Sequence, residues 1–468
     1  MENQSITGLT MRQPRITHSD STMTRRLLRL LALVVALLGA VSAHGEVITV
    51  ASSLPKDFLA IYKHAIEAQY PGTRIQYVNF PATHTVSFLR DRAPGNRPDV
   101  FWGSAPDIFL MLRRHDLLEP LGKIGDPGIP EYIGHLRIND ENGFFKGQAL
   151  SGYGVMWNAR YLQARGIPPP GNWQDLAQAA YFGHVVMSSP ARSSTIHVML
   201  EAILQDKGWQ EGWALILRIA ANCGLIAERS AGVPSSVSNG RFGAGPVVDF
   251  LGLSARQAGN PVAFTYARPT VVSVANIALI KGARNPLGGK RFIDFTLSAA
   301  GQALLLRPEI GRLPVRPATY ASLKDAASYP QIDDVLAQAI VDYDPQVSET
   351  RYRIVAAIFD QLITYRHQDL VDLNRLIQQT RQILATHPDP LAEADIENAQ
   401  ALIFSPPISE KRLPELQNIS DAPADIARLA AYEAAWGTLA KTRYAQARLL
   451  VEQAQTRIRQ PKSEIKRP

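Results

Sequence analysis

The sequence predicts an α/β protein with two lobes, followed by an all-α C-terminal extension. Up to about residue 320, short β-branched runs alternate with helical stretches, which is typical of parallel, doubly wound sheets. After about residue 321, apolar residues recur only at helical spacing. The chain has 468 residues, so it is long enough for several units of roughly 150 residues each.

The first lobe begins with a strand, a tight loop and a helix. The helix has the apolar face Phe58, Tyr62 and Ile66 and stops before Pro71. The predicted strands of this region are Val47–Ser52, Arg74–Asn79 and Asp99–Trp102. Further helices are expected around Thr85–Arg92 and after Pro106.

A second series of strands and helices follows a glycine-punctuated strand within Ala149–Leu162. Its predicted strands are His184–Met187, Leu225–Ala227 and Val247–Phe250, and a long helix is expected after Ser193. The series therefore predicts a second α/β lobe. Another strand, Val271–Ile280, follows it, with a helix that buries Phe292, Phe295 and Leu297.

The C-terminal region is predicted to be entirely helical. Its first apolar stripe is formed by Ile354, Ile358, Leu362, Tyr365, Leu373 and Ile377, and an alanine-rich helix runs from about Ala424 to Arg459. These stripes must be covered. Either they pack against a lobe, or they form a surface for a membrane sensor or permease.

The N-terminus carries the pattern of a cleaved secretory signal. Arg25, Arg26 and Arg29 precede the apolar run Leu30–Val41, and small residues follow it. This run is too short to span a bilayer, although a retained anchor is the alternative. We expect a mature chain that begins near His44. Residues 1–22 are polar and would be unusual ahead of a signal, so Met23 is a candidate start.

The charge, the cysteine count and the motifs of the sequence argue against several classes of function. The net charge is +7, and removal of residues 1–43 leaves +4, so we expect no nucleic-acid partner. Cys223 is the single cysteine and cannot form an internal disulfide. No complete dinucleotide, phosphate-loop, serine-hydrolase or zinc-hydrolase motif occurs. We therefore expect no cofactor and no catalysis, with an extracytoplasmic hydrolase or transferase on the same fold as the alternative.

Three loops place hydroxyl groups where a helix begins after a predicted strand. They contain Ser52 and Ser53, then Gly103 and Ser104, then Arg192, Ser193, Ser194 and Thr195. A helix N-terminus offers free N–H groups and a partial positive charge, which suit phosphate or carboxylate. Each loop taken singly also fits plain N-capping. Their shared position at the carboxyl ends of strands favours binding.

Several stretches, in this order, carry a family resemblance: VASSLPKDF, RPDVFWGSAPDIF, LSGYGVMWNARYL, VMSSPARSSTIHVMLEAILQDKGWQEGW and IALIKGARNPLGGKRFIDFTLSAAGQALL. The sequence resembles the type II periplasmic solute-binding proteins of ABC importers, in the branch that includes ferric-ion-binding proteins. The form S-S-x-P-K-D, the stretch GRLPVRP (Gly311–Pro317) and the helical extension look most like the phosphoglycerate-transport regulatory periplasmic proteins.

The resemblance implies two lobes that close on a ligand in the cleft between them. The crossing strands would lie near Ser151–Val155 and Phe264–Ser273. Lobe one would then comprise residues 46–150 plus about 268–320, lobe two residues 151–267, and the extension residues 321–468. It also implies a periplasmic monomer that engages an ABC permease or a membrane sensor, and it leaves import and signalling both open.

The ligand is expected to be a small anion. The ferric branch uses an adjacent tyrosine pair, whereas Tyr153 and Tyr266 are isolated here, so iron or another metal is the alternative. Trp102, Tyr153 and Asp249 fit either structural packing or a place in the cleft. The candidate ligand-binding residues are Ser52, Ser53, Trp102, Gly103, Ser104, Tyr153, Arg192, Ser193, Ser194, Thr195 and Asp249. A phosphorylated or carboxylated metabolite of the phosphoglycerate type is favoured.

Overall fold

A computed structural model of the chain describes residues 45–81, 84–122, 128–268, 270–322, 330, 332–339, 343–416, 419 and 422–459. The predicted export signal lies outside these residues. The strands are β1 (Glu46–Ser52), β2 (Thr73–Asn79), β3 (Val100–Gly103), β4 (Leu118–Glu119), β5 (Tyr132–Ile133), β6 (Leu136–Arg137), β7 (Phe145–Asn158), β8 (Val185–Ser188), β9 (Cys223–Ala227), β10 (Ala244–Val248), β11 (Val262–Tyr266), β12 (Val272–Ile280) and β13 (Leu313–Pro314).

The helices alternate with the strands in the first two thirds of the chain and then follow one another without strands in the described residues. They are α1 (Lys56–Gln69), α2 (Thr85–Arg90), α3 (Pro106–Arg114), α4 (Ala159–Arg165), α5 (Ser194–Lys207), α6 (Trp209–Ala221), α7 (Gly232–Ser238), α8 (Asp249–Gln257), α9 (Pro286–Leu297), α10 (Ala299–Leu304), α11 (Ile332–Gln338), α12 (Pro345–Leu362), α13 (His367–Thr386), α14 (Pro390–Ile403) and α15 (Pro423–Arg459).

The two lobes share one strand. The main sheet has the order β2-β1-β3-β12-β7-β10-β8-β9. The first part of β7, up to Gly152, pairs with β12. The second part, from Tyr153, pairs with β10 in the other lobe, and β11 pairs along the same part. The strand β7 thus passes from one lobe into the other.

The parallel arrangement expected from the sequence is found within each lobe. Strands β2, β1 and β3 are parallel, as are β10, β8 and β9. The strands β7 and β12 run antiparallel to their neighbours, so the sheet is mixed. Where β7 and β11 approach, a Cβ at Gly154 would overlap the carbonyl oxygen of Thr265, so this crossing requires a glycine.

Two differences from the predicted elements bear on the second lobe. The long helix expected after Ser193 is two helices, α5 and α6, because Gly208 between them has φ 75° and ends the first helix in a conformation that glycine tolerates. The strand expected over Val247–Phe250 ends at Val248, and Asp249 already begins α8.

The core of the first lobe is a cluster of aromatic rings between α1, β3 and α9. Trp102 contacts Phe58, Tyr62 and Phe292 with ring centroids 5.0, 4.8 and 5.7 Å apart. All four side chains are buried. The apolar face predicted for α1 therefore packs where the sequence pattern placed it.

The helical extension packs against both lobes. Its first long helix, α12, contacts α3 of the first lobe and α5 of the second. Helix α13 lies on α6, where Asn374 Nδ2 donates to the carbonyl oxygen of Ala221 and to Asn222 Oδ1. Helix α15 covers α12, α13 and α14 and buries Trp436 and Tyr444.

Among the residues the structure describes, no helix has the length and apolar composition needed to cross a bilayer.

Candidate functional site

A cavity of about 310 Å³ lies between the lobes at the carboxyl ends of their parallel strands. We call it the interlobe cavity. Its first-lobe wall is formed by Ser53, Leu54, Pro55, Lys56, Asn79, Pro81 and Ser104. Its second-lobe wall is formed by Arg192, Ser193, Ser194, Thr195, Arg229, Ser230, Ala231, Val248, Phe250 and Leu251. This edge is where ligands bind in open α/β sheets.

The first-lobe wall is built by the loops that follow β1 and β3. The β1 loop brings Ser53 and Lys56 to the cavity at the start of α1. Asn79, at the end of β2, donates from Nδ2 to the carbonyl oxygens of Ser52 and Leu54 at 3.0 and 2.8 Å. These bonds tie the neighbouring strand ends together and hold the loop in place.

The second-lobe wall centres on the N-terminus of α5. Ser193 is the N-cap of this helix, and its Oγ accepts from the Ile196 N–H at 3.2 Å. The N–H groups of Ser194 and Thr195 belong to the first turn, whose donors have no acceptor inside the helix. They lie on residues that line the cavity. The helix therefore offers backbone donors and a positive dipole end to a ligand.

The charge of the cavity is positive. Its described lining contains the cations Lys56, Arg192 and Arg229 and no aspartate or glutamate. Arg192 Nε is buried and has no hydrogen-bond partner in the described structure. A guanidinium has only donors to offer. This environment suits an anion with several acceptor oxygens.

Six of the eleven sequence-predicted residues meet at the interlobe cavity. They are Ser53, Ser104, Arg192, Ser193, Ser194 and Thr195. Ser52 lies directly behind the wall and is fully buried. Its Oγ donates to the carbonyl oxygen of Trp102 at 2.8 Å and accepts from the Leu54 N–H at 3.1 Å. Ser52 therefore shapes the loop and does not line the cavity.

Trp102 and Gly103 belong to the interior of the first lobe. The Trp102 ring lies in the aromatic core, and its Nε1 donates to Gln148 Oε1 at 3.3 Å. Gly103 pairs with Asn276 of β12, and a Cβ there would press on the Phe101 ring. Successive residues of β3 face opposite sides of the sheet, and all four residues of this strand are buried. Trp102 and Gly103 therefore both serve packing.

Tyr153 and Asp249 lie at the strand crossing and are fully committed to hydrogen bonds there. Tyr153 OH is 2.8 Å from Ser273 Oγ, and burial raises the pKa of Tyr153 above its ordinary range. Asp249 accepts from the Gly152 N–H at 2.7 Å and from Tyr266 OH at 3.2 Å. Asp249 joins the start of α8 to two crossing strands. Neither residue lines the interlobe cavity.

The described residues contain no cluster of three or more histidine, cysteine, aspartate or glutamate side chains placed to hold a metal ion. A buried tyrosine with a raised pKa is also a poor source of phenolate, the form that binds Fe(III). Tyr153 is therefore a poor candidate for an iron ligand in this fold.

Sequence reasoning missed Lys56, Arg229 and Ser230. The signal for Arg229 and Ser230 was present, because they follow β9 just as Arg192 and Ser193 follow β8. Lys56 is the first residue of α1, three positions after Ser53. These three residues complete the cationic and hydroxyl lining.

Residues 96–336 match the family of bacterial extracellular solute-binding proteins. The chain belongs to this family. A curated relative, the phosphoglycerate transport regulatory protein PgtC of Salmonella typhimurium, is 31% identical over 343 residues, which cover 70% of this chain and 83% of the relative. The resemblance inferred from the sequence motifs is thereby confirmed.

Solved structures with the same fold include a periplasmic binding protein and an iron-bound protein. One is the periplasmic binding protein AfuA from Actinobacillus pleuropneumoniae with exogenous fructose-6-phosphate bound, with TM-score 0.60 and 16% identity over 68% of this chain and 98% of that chain. The other is iron-bound HitA from Pseudomonas aeruginosa, with TM-score 0.54 and 14% identity over 66% of this chain and 98% of that chain. These likenesses establish the two-lobe fold.

The neighbours are matched over nearly their whole length, yet they cover about two thirds of this solute-binding protein. The helical extension is therefore an addition to the fold. The family assignment places the protein among extracellular binding proteins, whose partners are a small solute and a membrane transporter or sensor.

Proposed function

We propose that this solute-binding protein captures a small phosphorylated or carboxylated metabolite of the phosphoglycerate type in the interlobe cavity. It presents the ligand to an ABC permease for import or to a membrane sensor for signalling. The observation that carries the proposal is the lining of the cavity, which has Lys56, Arg192 and Arg229 and no carboxylate in its described part. A cationic ligand would meet only repulsion there.

The two walls contact different parts of the ligand. In the second lobe, the first N–H groups of α5 and the hydroxyls of Ser194 and Thr195 are donors for phosphate oxygens. Arg192 can add a two-pronged contact because its guanidinium is planar. In the first lobe, Lys56 and Ser53 are donors for a second anionic group. A ligand with a phosphate at one end and a carboxylate at the other uses both walls.

The relative named as a phosphoglycerate transport regulatory protein supports this ligand class. The match to this relative covers 70% of the present chain. It therefore extends far beyond the residues that form the two walls. That name also supports a regulatory role beside import. No chemical change of the ligand is proposed, because the described lining of the cavity has no aspartate, glutamate or histidine to act as a general acid or base.

Calorimetry and thermal shift on the full chain test the proposal. The probes are 3-phosphoglycerate, glycerate, glucose-6-phosphate, succinate, spermidine and ferric citrate. We expect 3-phosphoglycerate to bind and to raise the melting temperature, and glycerate to bind at least about a hundredfold more weakly, because buried donors would lose their charged partner. Stabilisation by ferric citrate or spermidine alone would overturn the anion assignment.

A pair of matched variants locates the site. Arg229 is exposed and lines the cavity, so Arg229→Gln should fold normally and weaken 3-phosphoglycerate binding about tenfold. Arg160 is also exposed but lies on α4 away from the cavity. Arg160→Gln should leave the affinity unchanged. Equal affinities for the two variants would place the ligand elsewhere.

A further inference from the structure

The stretch Gly311–Pro317, which the family resemblance singled out, places one arginine in the interior between the lobes. Arg312 is fully buried. Gly311 before it has φ 63°, a conformation that favours glycine. The N–H of Arg312 donates to the carbonyl oxygen of Leu305 at 2.9 Å, so its backbone is held against the end of α10.

Arg312 contacts three separate parts of the fold. Its Nη2 donates to Ser104 Oγ at 3.2 Å and to Ser151 Oγ at 2.9 Å. Its Cζ lies 4.5 Å from the centroid of the Phe250 ring. Ser104 belongs to the first-lobe wall, Phe250 to the second-lobe wall, and Ser151 to the crossing strand β7. One side chain therefore supports both walls of the interlobe cavity from behind.

The contact fixes which way the Ser104 hydroxyl can be used. A guanidinium carries five donors and no acceptor, whereas a hydroxyl can both donate and accept. Ser104 Oγ must therefore accept from Arg312. Its own proton is left to be donated to another group, and Ser104 faces the cavity. A hydroxyl whose oxygen already accepts from a cation, and whose proton is still available, suits an anion better than a cation.

We propose that Arg312 is a positioning residue that occupies one lone pair of Ser104 Oγ and so orients the Ser104 hydroxyl to donate to an anion in the interlobe cavity. The inference rests on the proposed function and adds to it a specificity determinant outside the cavity lining. The buried positive charge acts in the same direction, because it lies behind the wall in a medium that screens it less than water does.

If Arg312 had only a structural role, it would act as the counter-ion of Asp249. Burial raises the pKa of Asp249 to about 6, and the charge of Arg312 opposes part of that rise. Loss of this pairing would lower stability without changing ligand preference. A test must therefore measure affinity and preference separately from stability.

The test compares Ser104→Ala, Ser151→Ala, Arg312→Lys and Arg312→Gln in the full chain, with 3-phosphoglycerate as probe. Ser104→Ala should weaken binding about tenfold. Ser151→Ala removes the hydrogen bond from Arg312 to β7 without altering the lining, so it should change stability only. Arg312→Lys still offers only donors and should keep most of the affinity, whereas Arg312→Gln can also accept and should lose as much as Ser104→Ala.

The combination Arg312→Gln with Ser104→Ala should lose no more affinity than either change alone, because both act on one hydrogen bond. Additive losses would overturn the inference. If Arg312→Gln does not fold, wild-type affinity in Ser104→Ala beside the tenfold loss in Arg229→Gln would overturn it while the proposed function stands. If no anion binds the unaltered chain, the proposed function and the inference fail together.

Discussion

Asp107 and His197 lie side by side at the boundary between the lobes, with 3.7 Å between Asp107 Oδ2 and His197 Nε2 and neither side chain exposed. Asp107 is in the first turn of α3 in the first lobe, and His197 is on α5 in the second. His197 Nε2 also lies 3.2 Å from the carbonyl oxygen of Ser348 in the extension. The two lobes and the extension thus meet at one buried polar contact.

The contact is electrically neutral between about pH 3 and 7, where its one proton is on Asp107. Burial raises the pKa of Asp107 from 3.8 to about 7. Burial also lowers the pKa of His197 from 6.5 to about 3. In the unfolded chain, between about pH 4 and 6.5, the carboxyl is ionised and the histidine is protonated. Native and unfolded chains therefore hold one proton on this pair, and its pH effects cancel in that range.

Single substitutions should remove this cancellation in opposite directions. The stabilising effect of His197 is complete above pH 6.5 and is lost as pH falls towards 3. The effect of Asp107 is complete below pH 3.8 and is lost as pH rises through 7. Relative to wild type, we expect the free energy of unfolding of His197→Gln to fall as pH rises from 4 to 6.5, because Asp107 is then left without His197. Over the same rise in pH, the free energy of unfolding of Asp107→Asn should increase. Each change should be up to about 1.4 kcal/mol per pH unit.

Urea unfolding at several pH values measures these slopes. The comparison with wild type at each pH cancels the titration of Glu201 and Glu349, which lie near the pair in all three proteins. If the unfolding free energies of both variants changed with pH in the same direction relative to wild type, the assignment of a neutral buried pair would be wrong.

A second contact ties the extension to lobe two. Arg351 of α12 donates from Nε to Glu201 Oε1 at 3.2 Å and from Nη2 to Glu201 Oε2. The Glu201 side chain is fully buried and that of Arg351 is 7% exposed. We expect Arg351→Met to lower the free energy of unfolding by about 3–5 kcal/mol, because the buried carboxylate would lose its partner. Adding Glu201→Gln should recover part of this loss.

The control for this prediction is an exposed ion pair on the same extension. Arg375 and Asp372 are 2.9 Å apart, with 48% and 33% of their side chains exposed. Arg375→Met should cost no more than about 1 kcal/mol. Chemical unfolding of the three variants measures the difference, and equal losses for Arg351→Met and Arg375→Met would contradict the prediction.

The sequence predicted most strands and helices because their periodicity depends on local residues alone. It also placed Ser53, Ser104 and Arg192 after the carboxyl ends of parallel strands, and in the structure all three line one cavity. It could not decide whether Trp102 points into the core or the cavity, because this depends on the packing of α1 and α9 against β3. Arg312 gave no local signal, since a buried arginine and an exposed one have the same sequence context.

The sequence also could not predict where the extension packs. Its apolar stripes predicted helices that must be covered, but not the surface that covers them. In the structure, Trp209 Nε1 of the second lobe donates to the carbonyl oxygen of Ile408 at 2.9 Å. Such contacts join residues far apart in the chain and follow from the complete fold.

Removal of the extension after residue 385 should make the protein aggregate. The truncation would uncover α6 and α13, and with them Trp209 and Leu373, which are now buried. Large exposed apolar patches promote association. Gel filtration and dye binding measure this outcome. A truncated chain that stayed monomeric and bound 3-phosphoglycerate normally would instead favour the extension as a docking surface for a membrane partner.

Two adjacent serines at the start of α5 should have separable effects. Ser193 Oγ caps the helix by accepting from the Ile196 N–H, so Ser193→Ala should lower the free energy of unfolding by about 1 kcal/mol. Ser194 lines the same cavity but is the first residue inside the helix. Ser194→Ala should leave stability nearly unchanged, and under the proposed function it should weaken 3-phosphoglycerate binding by about three- to tenfold.

Thermal unfolding without ligand measures the cap, and calorimetry with 3-phosphoglycerate measures the donor. Ser409→Ala is the matched control, because Ser409 is exposed, precedes a short helical turn and makes no side-chain cap bond. It should change neither quantity. Unaltered stability in Ser193→Ala would show that the cap contributes little. Unaltered affinity in Ser194→Ala would remove this hydroxyl from the ligand site, because a donor that contacts a phosphate oxygen cannot be deleted without loss.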